Sequence, residues 1–287
     1  MNPDERWRSR FEAFSARKAR EAREAAIDRL RTEWDRDGRE AAIGNEWSRA
    51  MFDGPFYVSR RVSEALPATS LVFVQSRDGN TGAKNPSTLG GGEADKHLIY
   101  EGLSRVAADA VLGGAGTVRG GDIVLSTWHP ELVSLRASLG LPRHPMQIVA
   151  TLRGTPLDDG LIFNVPEIRV ALITVASCVD AMRDALAARP WITPVIMPGP
   201  YALADAFIEL RRLGVKTLSC IGGRTLATQL IDAHLVQDLY LTTSAKPGGE
   251  PNTPIYPAPL DGDVLVRKHG TGADRGVVFE HITALKA

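Results

Sequence analysis

The stretch Asp109-Ala-Val-Leu-Gly-Gly-Ala-Gly-Thr-Val-Arg-Gly-Gly-Asp122 limits the possible folds more than any other part of this chain. Its apolar run, residues 110–112, has the length and composition of a buried strand. The run breaks into Gly113, Gly114 and Gly116, then offers the helix-capping residue Thr117 and the cation Arg119. Glycines let backbone approach a ligand closely, and free N–H groups at a helix start attract anions. A guanidinium beside them is a partner for phosphate or carboxylate. A second stretch repeats the arrangement: residues 216–221 read as a strand running into Gly222-Gly223, with a helix over 225–233. In an open α/β sheet, ligands bind beyond the carboxyl ends of strands. Two such turns could grip a diphosphate from both sides; the competing reading is a pair of packing turns without a ligand.

The spacing excludes two common nucleotide sites. A Rossmann fingerprint needs G-x-G-x-x-G, but after Gly114-x-Gly116 the next glycine, Gly120, falls one place late. No lysine-serine pair of a phosphate-binding loop is present either.

Around these turns, short apolar strands alternate with helices. Strands are expected at 71–74, 110–112, 147–150, 170–174, 191–197, 216–221 and 235–243, and helices at 93–108, 202–213 and 225–233. Residues 264–268 and 277–282 read as a closing antiparallel pair. Pro194 places the 191–197 strand near an edge. This alternation implies an α/β fold with a mainly parallel central sheet, an antiparallel edge and helices covering the faces. The first 40 residues differ, being rich in Glu, Asp, Arg and Ala. Trp7, Phe11 and Phe14, then Ile27, Leu30 and Trp34, recur at helical spacing. We therefore expect a helical N-terminal extension over 1–60 and a main domain over 61–287. The apolar stripe needs a partner, either the body of the same subunit or a second copy, and a homodimer is expected. Trp47, Phe52, Phe56 and Tyr57 either line a pocket or, the preferred reading, pack under a loop.

Composition narrows the function classes. Lys+Arg and Asp+Glu both total 34, so no global field argues for nucleic acid or an anionic membrane. The two cysteines, Cys178 and Cys220, sit in apolar surroundings and read as buried thiols. The start lacks the apolar core of a signal peptide, and no run approaches the length of a membrane span, which points to the cytoplasm. His97, His129, His144, His234, His269 and His281 show no metal-ligand spacing, and no metal is expected.

Four motifs occur in a telling order: Ser76-Arg-Asp-Gly79; Arg105-x-x-x-Asp109 leading into the glycine turn and Thr117-Val-Arg119; Ile221-Gly-Gly223; and Leu235-Val-x-Asp238. Over roughly residues 70–257 the chain resembles the reductase of riboflavin biosynthesis, the C-terminal half of the bifunctional deaminase-reductase, which has the dihydrofolate reductase-like fold. The resemblance implies NADPH as cofactor and a small heterocyclic substrate, a phosphoribosylamino-pyrimidine whose ribose is reduced to ribityl. It implies that Gly114, Gly116, Thr117, Val118 and Arg119 border the cofactor and that Thr174 and Ser177 meet its adenosine ribose and 2′-phosphate. It puts Gly222, Gly223, Arg224 and Thr225 on the diphosphate and nicotinamide side, and Ser76 and Asp78 at the reacting centre. The chain departs from the family where an Asp-x-Pro-x-Leu-x-x-Arg loop helps hold the substrate: here the region reads Gly121-Asp-Ile-Val-Leu-Ser-Thr-Trp128. The zinc deaminase signature is also missing, and two cysteines could not supply it.

Three functions stay open at this point: the riboflavin-type reductase, a reductase of the same fold acting on a pterin or another heterocycle, and a nucleotide-binding protein without catalysis.

Overall fold

The structure is a computed structural model that describes residues 3–36, 41–58, 63–119 and 121–286. The chain opens with helix α1 (Pro3–Glu24), strand β1 (Leu30–Asp35), β2 (Ala41–Ile43), α2 (Glu46–Phe52) and β3 (Phe56–Val58). β4 (Ala68–Gln75) follows, then α3 (Gly92–Ala94), which continues as a π-helical segment, Asp95–Leu103. Next come β5 (Ala110–Gly114), α4 (Ala115–Val118), α5 (Pro130–Ser138), β6 (Met146–Ala150), α6 (Leu161–Asn164) and β7 (Val170–Val175). The last third holds α7 (Ala176–Ala181), α8 (Arg183–Ala187), β8 (Ile192–Met197), α9 (Leu203–Arg212), β9 (Thr217–Cys220) and α10 (Arg224–Asp232). β10 (Asp238–Thr243), β11 (Asp261–Gly270) and β12 (Val278–Lys286) complete it.

Among the described residues, ten strands form one sheet in the order β1-β11-β12-β10-β4-β9-β5-β6-β7-β8. The seven from β10 to β8 run parallel, and β12, β11 and β1 add an antiparallel edge. The apolar runs are continuous because both faces are covered. Leu71, Ala110, Leu112, Ile148 and Ile173 point to one face, under Phe207 and Leu210 of α9 and Leu226 and Leu230 of α10. Their neighbours Val72 and Val111 point to the other, where Leu98, Leu103 and Leu132 cover them. Val149 and Leu172 share that second face with Phe163 and Met182. β8 stands at the parallel edge as its proline suggested, with Pro194 opposite Leu172 and Ile196 exposed. Phe52 and Phe56 are buried against the π-helical segment and β12, as packing rather than pocket lining.

The N-terminal segment corrects one expectation. α1 is helical as its stripe suggests, but Leu30 and Trp34 belong to strand β1, paired with β11 from Leu30↔Gly270 to Asp35↔Val266. The 30/34 spacing is also compatible with alternate burial along a strand, and the sheet edge decides between the two. The expected boundary at 60/61 lies outside the described residues. The stripe of α1 finds its partner in the same chain: Phe14 and Ala22 pack with Val124, Trp128, Leu161, Val165 and Ile168. It therefore no longer argues for a second copy.

A buried lysine fixes β1 and α2 to the sheet. Lys268 of β11 is 0% exposed. Its Nζ donates to Thr32 Oγ1 at 2.7 Å and to the Asp53 carbonyl at 3.0 Å, 4.5 Å over the Phe52 ring. The Asp53 carboxylate in turn accepts from the Thr32 amide at 2.8 Å. Hydrogen bonds to a charged group are worth about 1.5–3 kcal/mol each. Lys268→Ala is therefore expected to cost on the order of 3 kcal/mol, a Tm fall of about 5–10 °C. A loss under ~1 kcal/mol in thermal unfolding would show that this network holds nothing.

Candidate functional site

β4, β9 and β5 lie side by side and parallel, so their carboxyl ends open at one edge of the sheet. Two of them end in glycine turns. Gly113-Gly114 leads into α4, and Ile221-Gly222-Gly223 leads into α10, whose N-cap is Gly223. Gly222 and Gly223 have φ values of 106° and 83°, a backbone region that L side chains rarely occupy. A Cβ on Gly222 would lie 3.3 Å from the Phe73 ring, so that glycine answers to packing. A Cβ on Gly114, Gly116 or Gly223 would meet nothing within 4 Å. These three glycines border open space, where backbone N–H groups can reach a ligand unobstructed.

That space is a trough of two connected parts. The larger, about 810 Å³, lies between the glycine turns, the 81–87 loop and the first turns of the 92–103 helix. The smaller, about 360 Å³, runs past the ends of β6 and β8 over Thr151, Leu152, Met197 and Pro200. Gly116, Thr117 and Gly223 line both.

The structure brings most of the expected residues together. Gly114 and Thr225 line the smaller part; Arg119, Gly222 and Arg224 line the larger. Others lie elsewhere. Val118 is buried in the core with Val149 and Phe163. The Thr174 hydroxyl is buried without a hydrogen-bond partner, while Ser177 is exposed in the first turn of α7; neither lines the trough. Ser76 is buried and accepts from the Asn80 amide at 3.3 Å. Asp78 is exposed and accepts from the Gly248 amide at 3.2 Å. After Gln75 the chain curls toward the 246–253 loop, with the Arg77 amide on the Lys246 carbonyl at 2.8 Å. Ser76 and Asp78 thus shape a turn and do not line the cleft.

Sequence reasoning missed the acidic group that does. Asp95 lines the larger cleft together with Glu93, Lys96, Tyr100, Lys84 and Glu250. Gly91 and Gly92 make room for it. A Cβ on Gly91 would lie 2.8 Å from Asp95 Oδ2, and one on Gly92 would collide with the carboxylate of Asp274, which accepts from the Ala94 amide at 3.0 Å. Burial pushes the Asp95 carboxyl up to about 6; the neighbouring Thr242 hydroxyl opposes the shift and the Asp274 charge adds to it. Burial likewise raises Asp274, against its bond from Ala94 and with help from Asp28 and Glu93. Two carboxyls at one helix start cannot both ionise cheaply.

The loop at 121–129 closes the far wall, where Ile123 lines the cleft. Its end is fixed by Glu101, whose carboxylate accepts from the backbone N–H groups of Trp128 and His129 and contacts His97 Nδ1 at 2.9 Å. Burial would raise Glu101, but His97 and the two N–H groups outweigh it and hold the carboxyl below its usual range.

A folded-state pKa near 6 makes Asp95 a pH-dependent liability. Its contribution to stability is fully present below the unfolded-state value of about 4 and is lost as pH rises through 6. Asp95→Asn should therefore gain stability relative to wild type between pH 4 and pH 8. The gain should be roughly 1–2 kcal/mol after allowing for its opening to solvent. Denaturant midpoints at the two pH values measure it; an equal difference at both would mean an ordinary carboxyl.

The family model of the RibD C-terminal domain matches residues 67–271. No curated protein matches. A pyrimidine reductase-like protein from Corynebacterium diphtheriae shares the fold, with a TM-score of 0.54 and 19% identity over 77% of this chain and 92% of that one. RibD of Acinetobacter baumannii aligns with a TM-score of 0.57 and 17% identity over 78% of this chain; the match spans only 59% of the Acinetobacter protein. The riboflavin biosynthesis reductase of Saccharomyces cerevisiae aligns with a TM-score of 0.53 and 15% identity, covering 79% of this chain and 93% of that one.

Proposed function

Because this chain belongs to the RibD C-terminal domain family and is a reductase, we propose that it uses NADPH to reduce the ribose of a phosphoribosylamino-pyrimidine in riboflavin biosynthesis. The observation that carries this reading is the trough itself: three glycines with unobstructed Cβ positions join an acid-bearing cleft to a second groove. The unobstructed Cβ positions fit a diphosphate, which needs backbone at close range. We place it against Gly114, Gly116, Thr117 and Gly223, with the adenosine end over Thr151, Leu152, Met197 and Pro200. Among the described residues no helix is long and apolar enough to cross a membrane, and we place the enzyme in the cytoplasm.

NADPH, when bound, supplies the hydride. The chain's share is orientation, charge and a proton. Lys84, Lys96, Arg119 and Arg224 line the larger cleft and give a phosphorylated substrate its counter-charges. Asp95 carries a proton at its carboxyl near pH 6. In this reading it would hand that proton to the sugar's ring oxygen as the ring opens. Ser76 and Asp78 then serve as supports of the turn beside the substrate rather than as reacting groups.

Gly116→Ala should lower NADPH affinity at least tenfold, about 1.4 kcal/mol, with thermal unfolding unchanged, since a Cβ there meets nothing within 4 Å. Unchanged affinity in a fluorescence titration would remove the diphosphate from this turn. NADH should bind at least tenfold more weakly than NADPH; equal affinities would overturn the choice of cofactor. Asp95→Asn should reduce kcat on the pyrimidine substrate by about 10²-fold or more. It should also abolish the fall in rate above pH 6, while NADPH binding stays within twofold. A variant keeping the wild-type pH profile would exclude Asp95 as the acid.

A further inference from the structure

The wall loop 121–129 is held from two sides, and the sides divide its residues. The second half is anchored by the body of the domain. Gln147 bonds both the amide and the carbonyl of Leu125, at 2.7 and 3.0 Å. His144 Nδ1 lies 2.8 Å from the Ser126 hydroxyl, and Arg143 donates to the Thr127 carbonyl at 2.8 Å. Glu101 takes the Trp128 and His129 amides. The first half is the part that reaches the cleft, through Ile123, and Arg119 stands just before it. Among the described residues, the hydrogen bond to this half comes from α1: Arg10 Nε donates to Asp122 Oδ2 at 2.7 Å. Val124 is buried in the cluster that α1 supplies with Phe14 and Ala22. Phe14 also packs edge-on against Trp128, 5.5 Å between ring centres. Beside the same cluster, Gly160 lets the start of the loop come close, since a Cβ there would lie 3.1 Å from the Gly121 carbonyl.

We propose that α1 is a working part of the substrate site. It is a clamp whose positioning residues Arg10 and Phe14 set Ile123 and the Arg119 end of the loop against the substrate. Among the described residues none of α1 lines either part of the trough, so it acts on the substrate through the loop and leaves the cofactor alone. This inference rests on the proposed function, in that the substrate it helps hold is the pyrimidine assigned above.

The test uses the full chain with Arg10→Ala, Phe14→Ala and the milder Phe14→Leu. Arg8→Ala serves as a control, since Arg8 lies on the same helix and its ion pair with Glu167, at 3.5 Å, is exposed. Amide hydrogen exchange should speed up at least tenfold over residues 121–124 in Arg10→Ala, with 125–129 unchanged, and over 121–124 together with Trp128 in Phe14→Ala. KM for the pyrimidine should rise about fivefold or more, with kcat within threefold and NADPH affinity within twofold. Phe14→Leu should recover most of the loss, and the reversed pair Arg10→Glu with Asp122→Arg should recover more than either single reversal. Arg8→Ala should behave as wild type. Unchanged exchange over 121–124 overturns the clamp whatever the enzyme reduces. Faster exchange with an unaltered KM, or an equal loss of NADPH affinity, overturns its part in substrate binding. A wild-type enzyme that oxidises no NADPH with the pyrimidine overturns the proposed function, and the exchange result then decides the clamp alone.

Discussion

A parallel sheet covered on both faces leaves its chain little choice about where polar chemistry can go. The central strands here are buried on both sides, and the space above and below is filled by helices, so ligands are admitted at the ends of the strands. The parallel direction of the strands puts all their carboxyl ends at one edge, where a helix start follows each glycine turn. The trough, its glycines and its acid group all depend on that alignment of β4, β9 and β5. The same constraint explains why Gly114, Gly116 and Gly223 border open space while Gly222 answers to the Phe73 ring: the first three face the strand ends and the last faces the core.

The cleft concentrates groups that weaken the folded state. Asp95 and Asp274 share one helix start, and two successive glycines are needed to admit them. Glycine costs a helix roughly 0.5–1 kcal/mol relative to alanine, and a half-buried carboxyl beside another adds to that. Such local conflicts are expected where a site, and not the fold, sets the residue. The networks around Lys268 and Glu101 work in the opposite direction, each joining segments distant in sequence through one fully surrounded charge.

Much of this was legible in the residues. The alternation of strands and helices, the edge position of the Pro194 strand and the two glycine turns all rest on local chemistry that the sequence displays directly. What was not legible depends on tertiary partners. Asp95 becomes unusual through burial, to which Asp274, far along the chain, adds its charge, and no local spacing signals either. The run Gly90-Gly91-Gly92 just before it was a signal, since successive glycines at a helix start ask what needs the space. Leu30 and Trp34 fit a helix and a strand equally, and the free edge of β11 decided. Ser76, Asp78, Thr174 and Ser177 were assigned by motif position, and motif position fixes the turn but not the direction a side chain faces. The apolar stripe on α1 was plain, whereas its partner, a cluster spanning residues 124–168, could emerge only from the fold.

The outer strand β8 has a consequence for how the molecule behaves in a crowded solution. An uncapped strand is a template on which another chain can add its own backbone, the first step toward fibrous aggregates. Pro194 cannot donate to an incoming neighbour, and its pairing with β7 continues in register past that point. Strand addition is thereby interrupted two residues before Ile196, which is 51% exposed and would otherwise make the edge adhesive. Among the described residues the sheet ends at β8, a poor seed for a further strand.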